Sequence, residues 1–283
     1  MARLRFTKMH GIGNDYVYVD CISAGVAARV NDPAALARRV SPRHTGVGSD
    51  GVILICPSDT ADCRMEMYNA DGSRGEMCGN GIRCVGKYVY DHGLVRKDTL
   101  HVATDAGTKM LRLHIRDGHV QAVTVDMGAP VLDGPRIPVA AEGHVINAPL
   151  TVDGKTYAVT CVSMGNPHCV TFVSSVDALP LADIGPRFEH HAFFPQRVNT
   201  EFVEVLARDG LRMRVWERGS GETAACGTGA CAVLVAAVLN DKADRRATVH
   251  LNGGDLQIEW TAADNHVLMT GPAEEVFTGE IEV

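Results

Sequence analysis

Met65-Glu66-Met67-Tyr68-Asn69 runs through a polar turn into Met77-Cys78-Gly79-Asn80-Gly81-Ile82, and 148 positions later Met213-Arg214-Val215-Trp216-Glu217 runs into Ala225-Cys226-Gly227-Thr228-Gly229-Ala230. Each copy opens with alternating apolar and polar residues, the pattern of a half-buried strand, and that strand ends nine positions before its cysteine. After the cysteine the period becomes helical. Ile82, Val85, Tyr88 and Val89 recur at helix spacing, and 230–239 is apolar nearly all round, as in a helix enclosed by other structure. Gly93 and Asn240 are suitable C-terminal stops.

The duplication continues outward from this unit. Gly13-Asn14-Asp15 leads into the strand pattern of 16–19, and Gly165-Asn166-Pro167-His168 into that of 169–173. More weakly, Ser49-Asp50-Gly51 precedes 52–55 as Asn199-Thr200-Glu201 precedes 202–205. Short strands broken by Gly, Pro and Asp fill 100–103, 109–115, 120–126, 156–162, 248–251, 256–260 and 267–270, without the regular strand–helix alternation of a parallel sheet. The expected fold is α+β: two pseudo-symmetric domains, each a curved antiparallel β-sheet or barrel wrapped around a central helix, with the active site in the interdomain cleft. The turn Gly128-Ala129-Pro130 is the expected crossing, which gives domains at 1–126 and 127–269.

With 283 residues, 46% of them hydrophobic, the chain can bury two ordinary cores. Acidic residues outnumber basic ones 34 to 27 with no basic run, which argues against a nucleic-acid partner and for a small polar one. Residues 1–10 mix Arg3, Arg5 and Lys8 with single apolar residues, unlike a signal peptide or a membrane anchor, so a cytoplasmic location is expected. There the nine cysteines stay reduced, and each must be core, ligand or chemistry. Cys21, Cys56, Cys63, Cys84, Cys161, Cys169 and Cys231 are expected to be core or inert, because free cysteine is among the most buried residue types.

Cys78 and Cys226 differ through their context. Unpaired N–H groups and a partial positive charge at a helix start lower the pKa of a thiol placed there, and the same N–H groups form an anion site that glycines leave open to a carboxylate. Two such starts around one carboxylate would put one sulfur on each side of the adjacent carbon, an arrangement suited to stereoinversion: one thiolate removes the α-proton and the opposite thiol returns one. A zinc site would need paired cysteines followed by a histidine pair, which the chain lacks. Gly219-Ser220-Gly221-Glu222-Thr223-Ala224 matches a dinucleotide fingerprint only formally, since the next helix pattern begins after Cys226.

Lys8-Met9-His10-Gly11-Ile12-Gly13-Asn14-Asp15, Asn69-Ala70-Asp71-Gly72-Ser73, Met77 to Cys84, Gly165-Asn166-Pro167-His168 and Glu217 to Thr223 with Ala225 to Gly229 together resemble diaminopimelate epimerase over almost the whole chain. The resemblance implies interconversion of LL- and meso-2,6-diaminopimelate, on the way to lysine and peptidoglycan precursors, by two cysteines with no cofactor and no metal. It also implies a C-terminal strand, 270–283, that returns to the first domain; a homodimer is a possible assembly that the residues do not decide. It assigns Cys78 and Cys226 as the catalytic thiols, His168 as partner of Cys78 and Glu217 as partner of Cys226. Gly79, Asn80, Gly227 and Thr228 should bind the reacting carboxylate, and Asn14 and Glu217 should lie near the reacting amine. Asn69, Asn166, Asn199 and Arg218 should hold the distal end, where Arg218 offers a planar fork for the second carboxylate.

One position departs from the pattern: some relatives carry glutamine where this chain has Gly51, so a side-chain contact to substrate there is absent or replaced by backbone. Two alternatives stay open from the residues alone. One is a proline or hydroxyproline racemase with the same two-thiol logic; the other is a thiol redox sensor that uses Cys78 and Cys226.

Overall fold

In the computed structural model, which describes residues 3–23 and 25–282, one unit of the chain comprises Met1–Val125 with Gly271–Val283 and the other Asp126–Thr270. The first unit contains β1 (Arg3–Gly11), β2 (Asn14–Asp20), α1 (Pro33–Val40), β3 (Gly51–Cys56), β4 (Cys63–Asn69), the two-residue β5 (Arg74–Gly75), α2 (Gly79–Asp91), β6 (Thr99–Thr104), β7 (Gly107–Arg116) and β8 (His119–Asp126). The second contains β9 (Ala148–Val152), β10 (Lys155–Ser163), β11 (Pro167–Phe172), α3 (Leu181–Glu189), β12 (Asn199–Ala207), β13 (Gly210–Glu217), β14 (Gly221–Glu222), α4 (Gly227–Leu239), β15 (Arg246–Leu251), β16 (Gly254–Trp260) and β17 (Val267–Gly271). The last strand, β18 (Glu274–Glu282), pairs with β1.

Both units have one strand plan. Sheet order is β18-β1-β2-β3-β4-β6-β7-β8 in the first and β9-β10-β11-β12-β13-β15-β16-β17 in the second. The strand beside β10 comes first in its unit, while its counterpart beside β1 comes last in the chain. The α+β class and the pseudo-symmetric pair of helix-wrapping sheets hold, but two details of the expectation are corrected. The sheets are mixed, since β2–β3, β4–β6, β11–β12 and β13–β15 are parallel. Each parallel pair spans a helix, because a chain that re-enters a sheet in the same direction needs a crossover. Nor is the sheet a closed barrel: among the described residues no ladder joins β18 to β8 in the first unit.

Helices α1 and α3 have no counterpart in the sequence expectation. The start of α1 is nonetheless written locally: Asp32 accepts the Ala35 N–H at 2.9 Å and Pro33 occupies the first turn, both standard start signals. These helices explain why β3 and β12 are apolar on both faces. In β3, Val52 and Leu54 pack with Leu36, Ala37 and Val40 of α1. Ile53 lies under α2, so close that a Cβ at Gly81 would sit 2.6 Å from its Cδ1. A strand covered on both sides reads as an unbroken hydrophobic run. In the second unit Phe202 meets Phe188 of α3 edge to face at 5.3 Å, and α4 is enclosed by β10–β13, β15 and β16. Each buried phenylalanine stabilises that core by about 2–3 kcal/mol. The tight seat of α3 depends on Gly185, where a Cβ would come within 2.4 Å of the Trp216 ring.

Strand register corrects the weaker of the repeat matches. Gly51 pairs with Asn69 and Thr200 with Trp216, while Asn69 and Glu217 end equivalent strands. The counterpart of Gly51 is therefore Asn199, two positions before the residue that the sequence match aligned with it.

Candidate active site

Cys78 and Cys226 are the N-cap residues of α2 and α4. Both have extended backbone, and each sulfur accepts an N–H from the first helical turn: Gly81 N to Cys78 Sγ at 3.3 Å and Gly229 N to Cys226 Sγ at 3.4 Å. Asn, Asp, Ser and Thr usually make this bond. A thiol in their place keeps the cap and brings a titratable sulfur to the positive end of the helix.

Around Cys78, the thiol donates to Asn14 Oδ1 at 3.2 Å, and Asn14 Nδ2 donates to Asp50 Oδ2 at 2.7 Å. Asp50 is held in turn by Arg43 at 2.9 Å, and Arg43 also bonds Asp15. Gly79 opens α2. The Asn80 side chain is turned away into the core, where its Oδ1 accepts from the fully buried Arg83 at 2.8 Å. Asn69 does not reach the thiol cluster; its Nδ2 donates to Ser73 Oγ at 3.0 Å and closes the turn after β4.

Around Cys226, one chain of polar contacts joins residues from five segments. Glu201 Oε1 meets His168 Nδ1 at 2.7 Å, His168 Nε2 meets Asn166 Oδ1 at 3.0 Å, and Asn166 Nδ2 donates to Thr228 Oγ1 at 3.3 Å. Thr228 Oγ1 is 3.6 Å from Cys226 Sγ, and the Glu217 carboxyl, whose charge acts on the same thiol, accepts from Thr223 Oγ1. His168 and Glu201 side chains are fully buried. Asn199 supports the rim, donating to Pro167 O at 3.1 Å and accepting the Arg218 N–H at 2.8 Å. The Arg218 guanidinium is exposed, with Nη1 on Gln196 O at 3.1 Å.

A helix start favours a lowered thiol pKa, but at Cys226 burial wins. Its thiol is pushed well above the ordinary range, first by desolvation and then by the negative charges of Glu217 and Glu201. The bonds from Thr228 and Gly229 oppose this and are too weak to reverse it. Desolvation also raises the Glu217 carboxyl above the usual carboxylate range. Cys226 therefore holds a proton at neutral pH. Of the other thiols, Cys21, Cys63, Cys84, Cys161, Cys169 and Cys231 are buried, and Cys56 is half-buried. Among the described residues no group of three or more His, Cys, Asp or Glu side chains could hold a metal ion.

Sequence patterns did not reveal Glu201, Asp50 or Thr223 as members of these clusters. Glu201 had one visible signal, a charged residue opening the apolar run 202–203, which becomes informative only once α3 is known to cover that strand.

The family model for diaminopimelate epimerase matches residues 6–132 and 160–276. The diaminopimelate epimerase of Acetivibrio thermocellus is 57% identical over 281 residues, 99% of each chain. That of Methanococcus maripaludis strain S2 is 54% identical over 99% of this chain and 100% of its own. Among solved structures, a probable proline racemase from Agrobacterium radiobacter superposes with a TM-score of 0.71 at 15% identity, covering 99% of this chain and 93% of its own. A hydroxyproline epimerase from Agrobacterium vitis gives 0.67 at 15% identity, covering 99% and 92%. At that identity the likeness is one of fold alone.

Proposed function

The chain belongs to the diaminopimelate epimerase family and is an isomerase that epimerises LL- and meso-2,6-diaminopimelate; on that premise we propose that Cys78 and Cys226 are its two proton-transferring groups. The proline-racemase and redox-sensor alternatives are not favoured. The observation that carries the assignment is the duplicated N-cap cysteine, a thiol at the start of the equivalent helix in each unit. Inversion at a carbon needs a base on one face and an acid on the other. Cys226, which keeps its proton, is the acid in the direction that begins from this protonation state, and Cys78 is the base. Glu217, whose charge acts on Cys226, accepts or returns the thiol proton, and His168 serves the other half-reaction. No cofactor is needed for this exchange.

Backbone N–H groups of Gly79, Asn80, Gly227 and Thr228 bind the reacting carboxylate, since the first N–H groups of a helix have no partner within it. Asn14 and Glu217 face the reacting amine. Asn69, Asn166, Asn199 and Arg218 hold the distal end, and the Arg218 fork suits its carboxylate. Turnover of LL-diaminopimelate in deuterated water is expected to put solvent deuterium on the α-carbon of the product, read by mass spectrometry. Product with no solvent deuterium would rule out a two-base exchange.

A cytoplasmic location fits the thiol chemistry, since reducing conditions keep both cysteines active. No helix among the described residues is long and apolar enough to cross a membrane. A homodimer is the proposed assembly, supported by β18, where Val276 and Phe277 are 55% and 47% exposed beside each other. Apolar side chains on a poorly covered strand favour burial against another surface. Sedimentation velocity is expected to give twice the chain mass, shifting toward the monomer in Phe277→Asp. A monomeric wild type would reject the dimer.

A further inference from the structure

Two asparagines hold the same place in the repeat, Asn14 after Gly13 and Asn166 after Gly165, but they turn opposite ends of their amides toward the helix start. Asn14 Oδ1 accepts from the Cys78 thiol at 3.2 Å, whereas Asn166 presents its Nδ2, which donates to Thr228 Oγ1 at 3.3 Å. The two ends of a primary amide have almost the same shape, so hydrogen-bonding partners choose between them. At Asn166 the choice is made by His168 and Thr228. At Asn14 it is made by Asp50.

Asp50 stands at the junction of three segments. Its N–H donates to Asp15 O at 2.8 Å, its carbonyl accepts from Ala70 N at 2.9 Å, and β3 begins at the next residue. With the backbone so held, the carboxylate is surrounded by donors. Oδ2 accepts from Asn14 Nδ2 at 2.7 Å and from the Asp15 N–H at 3.1 Å, and Oδ1 accepts from Arg43 Nη2 at 2.9 Å. All three partners are donors, so the arrangement fits the ionised carboxylate, although burial raises this carboxyl above its ordinary range. An ionised carboxylate only accepts. Turning Asn14 over would set its Oδ1 against Asp50 Oδ2 and replace a charge-assisted bond with two facing acceptors. In the second unit the equivalent position is Val198, a fully buried core residue, so this lock belongs to one half only.

We propose that Asp50 is a positioning residue for the epimerisation: it takes the Nδ2 end of Asn14 and thereby fixes the Oδ1 end toward Cys78, as the acceptor for the reacting ammonium of the substrate. The proposal rests on the reading that Asn14 faces that amine. An ammonium carries donors only, so it needs the carbonyl end of the amide and is repelled by the NH2 end. A carbonyl oxygen has two lone pairs and accepts from the thiol and the ammonium together, which sets the amine of the α-carbon beside the sulfur that exchanges its proton. Arg43 braces the lock from behind by bonding Asp50 and Asp15 at once, and the buried Lys8 pairs with Asp15.

The test is a two-residue swap in the full-length enzyme, with KM and kcat measured on LL-diaminopimelate and thermal unfolding recorded for each variant. Asp50→Asn lets Asn14 turn over, and KM is expected to rise about tenfold with kcat changing less, because the same acceptor holds the ammonium before and during proton transfer. Asn14→Asp alone sets two carboxylates face to face and should raise KM as much. Combining the two restores one donor at position 50 and an accepting oxygen at position 14, so KM of the double variant should return to within about threefold of wild type. A residue that only braced the loop would not be repaired by a change at position 14. Asp50→Ser, whose hydroxyl has no fixed polarity, should raise KM as Asp50→Asn does and serves where the asparagine variant unfolds early. Wild-type KM in Asp50→Asn and Asp50→Ser, or a double variant no better than Asp50→Asn, would overturn the proposal. Wild-type KM in Asn14→Ala would instead reject the contact between Asn14 and the amine.

Discussion

Cys78→Ala and Cys226→Ala are each expected to lose epimerisation by at least about a thousandfold in kcat, because one remaining thiol can exchange the α-proton but cannot return it to the opposite face. The fold should survive either change. Each cysteine caps its helix with one N–H···S bond, and loss of a cap costs about 1 kcal/mol, so thermal unfolding should shift by only a few degrees. Cys84→Ala is the contrasting case. That thiol lies inside α2, and burial pushes it up to about 11, out of reach of proton exchange at neutral pH. It should keep most of the activity. Near-normal turnover by either single-cysteine variant would end the two-thiol assignment.

Glu201→Gln should have the next largest effect. The glutamine oxygen can still accept from His168 Nδ1, so the shape of the site stays while the charge goes. Loss of that charge removes the carboxylate that orients the His168 ring for proton transfer, and kcat is expected to fall on the order of a hundredfold with KM little changed. The same charge helps raise the Cys226 thiol, so its removal should lower that thiol and make it alkylate faster at mildly alkaline pH. Slower turnover with a more reactive Cys226 is a pattern that simple loosening of the fold would not give. Glu201→Ala goes further and leaves the buried His168 nitrogen without its acceptor, which should cost about 1–3 kcal/mol in urea unfolding. A Glu201→Gln enzyme with wild-type kcat and unchanged Cys226 alkylation would remove Glu201 from the mechanism.

Much of the architecture was legible because it is local. The alternation in 65–69 and 213–217 marks β4 and β13, and the change of period after each cysteine marks α2 and α4. A repeated stretch of sequence needs no knowledge of its neighbours to be recognised as a repeated structure. Helices α1 and α3 were less visible. The eight residues of α1 and the Gly185-Pro186 pair within α3 give weak helical periodicity, although Asp32-Pro33 signals a start. Parallel pairing of β2 with β3 was hidden for the same reason, since the covering helix was not seen.

The sequence by itself determined that this chain is two copies of one unit, that each copy ends a strand and starts a helix with a thiol at the junction, and that its motifs are those of diaminopimelate epimerases. These are properties of short stretches, and short-range backbone preference and side-chain period are enough to specify them. Tertiary structure alone decided which distant side chains meet. Parallel register between β11 and β12 brings Glu201 to His168 across 33 positions of chain, and α2 brings Cys78 to Asn14 across 64. It also decided the sign of the Cys226 shift: the helix start favours the anion, but an apolar surround and two carboxylates favour the thiol, and their sum depends on packing that no single stretch of sequence contains.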